Sequence, residues 1–597
     1  MFTKLTDNQL GLKKDFIHNY MKSKNAADGS PFDANANVEQ KNIATLESEI
    51  NKDINIQINR ALVVEKIEEL FGKEIADTYL KQIDEHLIYP HDESSLKPYC
   101  ASVTMYPFLL EGMTGFGGDS KAPEHIESYC GSFINLVFAI ASQFAGAVAT
   151  VEFLMYFDHF ARKDYGDDYL NTHRERVHNH LQHVVYSLNQ PAAARGFQSV
   201  FWNISVYDEH YFDSLFGTFM FPDGTKPEWS SVKKLQDFFL GWFGDERKKA
   251  LLTYPVITAA MLVDEEGEPR DSEFAQVCAK HLSQGVGFFI YQSDNADSLS
   301  SCCRLRNQVD DLEFSYSLGA GGVSTGSINV ITLNVNQLVQ KGYDLQRQIE
   351  LMHMYQIAHR KLVEEYNEAG LLPVYTKGFI SLDKQYLTIG VNGLVEAAEY
   401  LGHDITVNEG YQTFIKNTLK VIYDANRSAS KSTGYKFNTE FVPAENLGVK
   451  NAKWDKKQGL FSPRDCYNSY MYRAEDEMDF IDKIKLHGRD ILQYLDGGSA
   501  LHLNLEELPD EKQFLKLISL TGKHGCNYWC TNVKVTICNE CGKIDTFTRD
   551  KCVKCGSTNL DYATRVIGYL KKISSFSSDR RKEEGLRLYG KSKGCMS

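Results

Sequence analysis

Two Cys-x-x-Cys pairs lie close together near the end of this 597-residue chain, and ten residues separate them. The four cysteines of these pairs are Cys538, Cys541, Cys552 and Cys555. Four thiolates brought together by two tight turns favour tetrahedral binding of zinc, or less often of iron. Because protein ligands would then fill every position on the metal, we predict a structural site that stabilises a small C-terminal domain.

Disulfide bonds are the alternative interpretation of these cysteines. The chain contains 13 cysteines, but it is long, and its start, MFTKLTDNQLGLKKDF, lacks the apolar stretch of a signal peptide. We therefore expect a cytoplasmic protein with reduced thiols. The most apolar run, Leu136 to Val151, is shorter than the roughly 20 residues that span a bilayer, so we predict a buried helix there and no membrane partner.

Short β-rich runs alternate with helical patterns through the middle of the chain. The runs are GVGFFIYQ (285–292), INVITLNV (328–335) and ALHLNL (500–505), and such alternation favours an α/β fold. From Thr521 onwards the composition changes to cysteine, glycine and basic residues. We predict a mainly helical region at 1–85, a catalytic domain at 86–520 and a metal-binding domain at 521–597.

The segment Arg565-Val-Ile-Gly568-Tyr-Leu follows the last cysteine pair after nine residues. A four-cysteine site followed by this hexapeptide resembles the glycyl-radical loop of anaerobic ribonucleoside-triphosphate reductases. Glycine suits a stored radical, because the absence of a β-carbon lets the α-carbon become planar. The resemblance implies that Gly568 carries the radical.

The same resemblance implies the fold of the catalytic domain. Enzymes of the ribonucleotide-reductase and pyruvate-formate-lyase type have a ten-stranded α/β barrel. Two half-barrels enclose a finger loop, and the glycyl loop enters beside it. A small zinc-ribbon domain follows the barrel.

A Cys-Arg pair on the finger loop carries the thiyl radical in this family, and Cys303-Arg304 matches it. Cys303 would take the 3′-hydrogen of the ribose. Cys100 resembles the second active-site thiol, which donates hydrogen at C2′, although a buried thiol without a catalytic role is an equally good interpretation of this residue.

Further segments resemble the parts of the family's barrel that contact substrate. The segment 198–204 contains Asn203, and the turn 443–446 contains Glu445 near the expected position of the substrate phosphates. Ser327 lies near the position where formate-using members often have Asn. Together with the additional Cys302, this difference leaves the reductant open between formate and a thioredoxin- or glutaredoxin-like dithiol protein.

The resemblance also implies partners. We expect ribonucleoside triphosphates as substrates, ATP and deoxynucleoside triphosphates as allosteric effectors, and a homodimer. A separate radical-SAM iron–sulfur activase would generate the glycyl radical. The family often has a further N-terminal ATP- or dATP-binding module, for which residues 1–85 are too few, so inhibition by dATP stays open.

Two other functions fit part of the sequence. Adjacent active-site cysteines like Cys302-Cys303 also occur in pyruvate formate-lyases, but these enzymes lack the zinc ribbon and end in Gly-Tyr-Ala. A zinc-ribbon nucleic-acid-binding protein is the second alternative. The net charge of -14 disfavours it, because binding to phosphates needs basic surface.

Overall fold

The structure of the chain is a computed structural model. It describes residues 4–30, 41–192, 197–296, 298–301, 305–308, 324–441, 446–565 and 569–590, the segments 298–301 and 305–308 by their backbone alone. The predicted site residues Cys303, Arg304, Glu445 and Gly568 therefore lie outside the described residues, as does Cys302.

The strands of the described residues fall into one large sheet and three small ones. They are β1 (Ile88–Pro90), β2 (Cys100–Ser102), β3 (Val148–Ala149), β4 (Pro191–Ala192), β5 (Gln198–Ser199), β6 (Trp202–Tyr207), β7 (Val256–Leu262), β8 (Phe289–Ser293), β9 (Ser298–Ser301), β10 (Leu305–Gln308), β11 (Thr325–Asn334), β12 (Gln385–Asn392), β13 (Lys436–Glu440), β14 (Leu501–Asn504), β15 (Tyr528–Asn532), β16 (Val535–Cys538), β17 (Ile544–Asp545), β18 (Leu560–Arg565) and β19 (Leu570–Lys572).

The helices of the described residues lie before β1, between the strands of the large sheet and after β19. They are α1 (Asp7–Lys22), α2 (Ala26–Gly29), α3 (Ile43–Ile50), α4 (Lys52–Phe71), α5 (Lys73–Asp84), α6 (Tyr106–Glu111), α7 (Ile126–Ala141), α8 (Phe153–Tyr165), α9 (Tyr169–Thr172), α10 (Arg174–Leu188), α11 (Glu209–Phe216), α12 (Trp229–Arg247), α13 (Ser272–Ser283), α14 (Val335–Lys341), α15 (Leu345–Glu368), α16 (Pro373–Thr376), α17 (Leu394–Tyr400), α18 (Glu409–Thr433), α19 (Leu447–Lys457), α20 (Phe480–Leu486), α21 (Arg489–Leu492), α22 (Glu511–His524) and α23 (Ser578–Leu586).

Ten strands of the large sheet form two sets of parallel strands. The strand order is β13-β12-β11-β2-β3-β6-β7-β8-β15-β14, and β1 pairs with β11 beside this path. The strands β2, β3, β6, β7 and β8 are parallel to one another. Antiparallel pairs β11–β2 and β15–β8 join this half to the strands β11 to β15.

The two ends of the sheet meet at a seam between β13 and the residues before β14. Glu440 and Gly498 form a parallel bridge, and Gly497 N–H donates to the carbonyl of Thr439 at 2.8 Å. A β-carbon at Gly497 would lie 2.6 Å from that oxygen, so a larger residue would open the seam. The α/β fold and the ten-stranded barrel are thus confirmed.

Residues along the barrel strands alternate between the helices outside and the barrel interior. Trp202 packs against Phe133 and Phe153 of the outer helices, and Thr439 accepts a hydrogen bond from Asn426 of α18 at 2.9 Å. The neighbouring residues of Trp202 and Thr439, Asn203 and Asn438, therefore face the interior.

The two longest helices, α15 and α18, pack over β11, β12 and β13. Both begin at a capping side chain: Asp344 accepts from Arg347 N–H at 2.7 Å, and Asn408 accepts from Tyr411 N–H at 2.9 Å. The helix α18 ends at Gly434, whose φ of +78° is the left-handed cap that glycine favours. These helices hold the second half of the barrel from outside.

The cysteine-rich segment forms a separate sheet in the order β17-β16-β18-β19. The predicted boundary at Thr521 falls within α22, and β15 beyond it still belongs to the barrel. The division into three domains stays a prediction.

The three predicted β-rich runs are confirmed as β8, β11 and β14. The predicted helix from Leu136 to Val151 is partly wrong, because α7 ends at Ala141 and Val148–Ala149 form β3 in the barrel. Within the described ranges, no helix combines the length and the apolarity required to cross a membrane.

Candidate active site and metal centre

The four predicted metal ligands meet in one cluster. Their sulfur atoms all lie within 4.8 Å of one another, and the Sγ–Sγ distances Cys538–Cys555 and Cys541–Cys552 are both 3.6 Å. A tetrahedron with metal–sulfur bonds of about 2.3 Å has sulfur–sulfur edges of about 3.8 Å. The cluster therefore fits one zinc ion with four thiolate ligands.

Both cysteine pairs adopt the same turn. Gly542 N–H donates to the carbonyl of Cys538 at 3.0 Å, and Gly556 N–H donates to that of Cys552 at 2.9 Å. Both glycines have positive φ, 69° and 72°. The glycine after each pair therefore lets the chain reverse, so that both thiols point to one centre.

The cluster is joined directly to the strands around the predicted radical residue. β16 ends at Cys538 and pairs with β18, which pairs in turn with β19. Arg565 at the end of β18 lies opposite Leu570 in β19. Gly568 belongs to the connection between these two strands, whose residues 566–568 lie outside the described ranges.

Arg565 fixes the first side of this connection to the barrel. Its backbone N–H donates to Oδ1 of Asn532 at 3.0 Å, and its Nη2 donates to the carbonyl of Gly287 at 2.6 Å. Its guanidinium lies over the ring of Phe289, 5.2 Å from the centroid. Gly287 has a φ of +65°, and a β-carbon there would lie 3.3 Å from that Nη2, so glycine suits both the backbone and the contact.

A second arginine shares the same carbonyl. Arg247 Nη1 donates to the carbonyl of Gly287 at 3.1 Å and to that of Val286 at 2.8 Å. Burial, followed by the positive charge of Arg565, lowers the pKa of Arg247 to about 9. The wall beside the predicted radical loop is therefore electropositive.

Tyr569 fixes the second side of the connection. Its buried ring packs edge-on against Phe201, with the centroids 5.1 Å apart, and lies 5.8 Å from the ring of Tyr254. The next residue, Leu570, accepts a hydrogen bond from Thr253 Oγ1 at 3.3 Å. Phe201 and Tyr254 precede β6 and β7. Tyr569 therefore packs at the N-terminal ends of two neighbouring barrel strands.

The segment predicted to carry the thiyl radical lies in sequence between two paired strands. β9 and β10 pair antiparallel, with Ser301 opposite Leu305, and residues 302–304 between them lie outside the described ranges. β9 lies against β6, β7 and β8. The anchors of the 566–568 segment contact the residues just before β6, β7 and β8 and, through Phe289, β8 itself, so they lie against the same three strands as the hairpin.

Cys100 and Ser327 are brought together. They are direct partners in the antiparallel pairing of β2 with β11, and both are buried. A β-carbon at the neighbouring Gly326 would lie 2.2 Å from the carbonyl of Cys100, so glycine is required for this close pairing. Two predicted site residues 227 positions apart thus lie side by side on the barrel wall.

Ser327 is held by a local irregularity of β11. The register with β12 shifts between Ser327 and Asn329. Ser327 Oγ donates to the carbonyl of Asn329 at 3.2 Å and lies 2.8 Å from Oγ1 of Thr388. The bulge places Ser327 and Thr388 on the same face of the sheet, the face of Cys100.

Asn203 lies in β6, in the same half of the barrel as Cys100 and two strands away from β2. It is buried, its Nδ2 donates to the carbonyl of Phe201 at 3.2 Å, and its Oδ1 has no hydrogen-bond partner among the described residues. Glu445 follows β13 but lies outside the described residues. The structure therefore pairs Cys100 with Ser327 and places Asn203 two strands from Cys100 on the same interior wall.

Sequence reasoning did not identify the residues that hold the loop. Asn532, Gly287 and Arg587 contact Arg565, and Phe201 and Tyr254 contact Tyr569. Gly287 lies in the β-rich run 285–292 and Phe201 in the segment 198–204, but neither residue was predicted to hold the loop. The other three belong to no motif that the sequence analysis described.

Comparisons with known proteins agree with this geometry. The model of the anaerobic ribonucleoside-triphosphate reductase family matches residues 48–589. A solved anaerobic ribonucleotide reductase is 26% identical, with a TM-score of 0.85 over 98% of this chain and 93% of its own. No curated protein sequence matches the chain.

Two solved structures of the Thermotoga maritima anaerobic ribonucleotide reductase are equally similar. The structure with glycerol in the active site is 26% identical, with a TM-score of 0.83 over 97% of this chain and 94% of its own. The structure in complex with dATP and CTP is 26% identical, with a TM-score of 0.82 over 98% of this chain and 100% of its own.

These matches disfavour both alternative functions, the pyruvate-formate-lyase-like enzyme and the nucleic-acid-binding protein. The family model covers the barrel, the cysteine cluster and the strands on both sides of Gly568. The chain therefore belongs to the anaerobic ribonucleoside-triphosphate reductase family of oxidoreductases.

Proposed function

We propose that this chain reduces ribonucleoside triphosphates to 2′-deoxyribonucleoside triphosphates for DNA synthesis by a glycyl and thiyl radical mechanism. The observation that supports it most directly is convergence on one part of the barrel. The hairpin around residues 302–304 and the anchors of 566–568 both contact β6, β7 and β8 or the residues just before them. Segments more than 260 residues apart therefore share one wall.

In the proposed cycle Gly568 stores the radical and Cys303 uses it. The Gly568 radical takes the hydrogen atom of the Cys303 thiol, which leaves an intact glycine and a thiyl radical. The thiyl radical takes the hydrogen atom at C3′ of the ribose. The 2′-hydroxyl then gains a proton and leaves as water.

Two electrons and a second proton complete the reduction. Cys100 donates hydrogen at C2′, Cys303 returns its hydrogen to C3′, and the thiyl radical that results restores the radical on Gly568. The electrons come either from formate, which becomes carbon dioxide, or from a thioredoxin- or glutaredoxin-like dithiol, which becomes a disulfide. The choice between these two reductants stays open, because Ser327 stands where formate-using members often have Asn and because the chain has the additional Cys302.

Four residues are proposed to bind substrate: Asn203, Arg304, Ser327 and Glu445. The buried Oδ1 of Asn203 supports this role, because it has no partner among the described residues and an acceptor of this kind in a barrel interior can accept from a substrate hydroxyl. Ser327 lies beside Cys100, where a ribose would be reduced.

Zinc at the four cysteines would have a structural role. The metal would fix the β16–β18 pair, and β18 carries Arg565 to its anchors on the barrel. As partners we propose a radical-SAM iron–sulfur activase, ATP and deoxynucleoside triphosphates as effectors, and a second copy of the chain in a homodimer. We propose a cytoplasmic location.

Anaerobic activation of the full chain tests this function. After treatment with a radical-SAM activase, we expect the doublet of a glycyl radical in electron paramagnetic resonance. We also expect reduction of a ribonucleoside triphosphate with formate or a dithiol protein. The variant Gly568→Ala should show neither.

Gly585→Ala is the matched control. Gly585 lies in α23, and a β-carbon there meets nothing within 4 Å. This variant should keep both the doublet and the activity. A doublet that persists in Gly568→Ala, or activated wild-type protein that reduces no ribonucleotide, would contradict the proposal.

A further inference from the structure

The side-chain amide of Asn438 in β13 has no hydrogen-bond partner among the described residues. This holds for both its Oδ1 and its Nδ2, and the residue is fully buried. An unsatisfied buried donor or acceptor costs free energy, so folded proteins keep few of them, and each needs an explanation. In Asn438 both the donor and the acceptor of one side chain need such an explanation.

The amide faces the barrel interior. The neighbouring strand residues Phe437 and Thr439 contact His353 and Asn426 of the outer helices α15 and α18. Alternation along β13 therefore directs Asn438 the other way. Within the part of the chain that the structure describes, three other buried interior atoms also lack hydrogen-bond partners, namely Ser102 Oγ, Asn203 Oδ1 and Ser205 Oγ.

Asn438 lies in one lateral row with the predicted second thiol. It is the direct partner of Thr388, whose Oγ1 lies 2.8 Å from Oγ of Ser327, and Ser327 is the partner of Cys100. Three strand spacings of about 4.8 Å make this row roughly 14 Å long on the curved wall. A ligand in front of Ser327 and Thr388 would thus lie between Cys100 and Asn438.

The barrel seam leaves room for this side chain. Gly497, across the seam from β13, has no β-carbon, and one built there would lie 3.1 Å from Cγ of Asn438. The carbonyl of Thr439, which accepts from Gly497 N–H, holds the backbone in place on the other side. The backbone at Gly497 and Thr439 therefore lies close to the amide, but it forms no hydrogen bond with the amide.

We infer that Asn438 binds the ribose hydroxyls of the substrate and positions the sugar against Cys100. This inference rests on the proposed function. An amide can accept from one hydroxyl and donate to its neighbour, which matches the vicinal 2′- and 3′-hydroxyls of a ribonucleotide. A phosphate would use only the donor and leave Oδ1 unsatisfied.

Binding to the unactivated full chain tests the inference without any chemistry. CTP and 2′,3′-dideoxy-CTP, which lacks both hydroxyls, are titrated calorimetrically with dATP present throughout to fill effector sites. We expect wild-type protein to prefer CTP by at least about tenfold. In Asn438→Ala this preference should fall by about tenfold, with binding of the dideoxy analogue nearly unchanged.

Thr439→Val is the matched control, because it changes the adjacent, outward-facing residue and removes the acceptor of Asn426. It should lower the melting temperature and keep the preference for CTP. Asn438→Ser provides a second variant in case Asn438→Ala does not fold, and it should lose the same preference.

Three results would overturn the inference. The first is an equal loss of affinity for CTP and for the dideoxy analogue in the Asn438 variants, which a purely structural role predicts. The others are an unchanged preference for CTP in these variants and the absence of this preference in wild-type protein. If wild-type protein reduces ribonucleotides after activation, these results count against Asn438 alone. Absence of both ribonucleotide binding and reduction would overturn the proposed function as well.

Discussion

The barrel and the cysteine-rich sheet differ in how they are stabilised. The barrel and its helices share one hydrophobic core, in which large side chains such as Trp202, Trp529 and Tyr291 are completely buried. The core of the β16–β19 sheet consists of four buried residues, Ile537, Ile544, Ala563 and Leu570. So small a core cannot offset the entropy of ordering the segment, and a metal is the usual remedy.

Two roles are thereby separated within the proposed radical site. The metal cluster would keep the small sheet folded, whereas its position depends on hydrogen bonds and ring contacts to the barrel at Arg565 and Tyr569. Fold and placement of the radical loop should therefore respond to different substitutions.

Loss of the metal should have the largest effect. In Cys552→Ser we expect one zinc less per chain and unfolding of the β16–β19 sheet, because structural zinc sites contribute on the order of 10 kcal/mol. Zinc analysis and limited proteolysis of residues 533–572 measure this, and the unfolding of the barrel should change little.

Cys466→Ser is the control for this variant, because Cys466 lies outside the metal cluster. It should keep both zinc and protease resistance. A Cys552→Ser protein that stays metal-bound and protease-resistant would show that the small sheet does not need all four ligands.

Removal of Arg587 should release the loop without removing the metal. This buried guanidinium binds Glu583 through two bonds of 2.8 and 2.9 Å and donates to the carbonyl of Arg565 at 3.1 Å. Burial disfavours the charges of Arg587 and Glu583, but the charge of Glu583 raises the pKa of Arg587, and the charges of Arg580 and Arg587 lower that of Glu583, so all three groups stay ionised. Arg587→Ala would leave Glu583 paired with Arg580 alone, at 3.3 Å, and would remove the hydrogen bond to the carbonyl of Arg565, at a cost of about 1.5–3 kcal/mol.

Hydrogen exchange of residues 560–572 measures this effect, and we expect faster exchange with an unchanged zinc content. Arg581→Ala is the control, because the pair Arg581–Asp28 is more exposed and should contribute at most about 1 kcal/mol. Equal exchange in both variants would mean that Arg587 does not hold the loop.

The barrel should show a pH dependence that the metal-bound sheet does not share. Glu152 is fully buried and accepts from Met105 N–H at 2.8 Å, and burial raises its pKa from 4.5 to about 8. Because the folded state holds this proton more tightly than the unfolded state, the associated stability is complete below pH 4.5. It is lost as the pH rises through 8.

Glu152→Gln should remove this dependence, because an amide keeps the acceptor for Met105 and has no proton to lose. We expect the difference in unfolding free energy between variant and wild type to grow by a few kcal/mol between about pH 5 and 8, measured by urea denaturation. The small sheet should respond in the opposite direction and release zinc at low pH, as its thiolates become protonated. A difference that does not change with pH would contradict a raised pKa at Glu152.

Much of the site could be predicted because its residues form local patterns. The spacing of Cys538, Cys541, Cys552 and Cys555 reflects the reach of two turns, which a short sequence can encode. The resemblance of the hexapeptide around Gly568 led to the family that the comparisons show. The β-rich runs predicted β8, β11 and β14, because buried strands need continuous apolar residues.

The rest is decided by contacts between residues far apart in the chain. Cys100 and Ser327 meet through strand pairing within the barrel, Asn438 and Gly497 through closure of its seam, and Asn532 and Arg565 where the small sheet packs on it. The domain boundary is a further example. The composition changes at Thr521, yet β15 beyond it belongs to the barrel, because strand pairing and not composition decides which sheet a segment joins.

The sequence by itself determined the metal cluster, the α/β class and the residue proposed to store the radical, because each depends on spacing or residue type within a short segment. The tertiary structure alone decided which wall binds Arg565 and Tyr569, on either side of the proposed radical residue, and which buried amide faces the interior. Those properties depend on strand register and on burial, and both arise only when distant segments pack together.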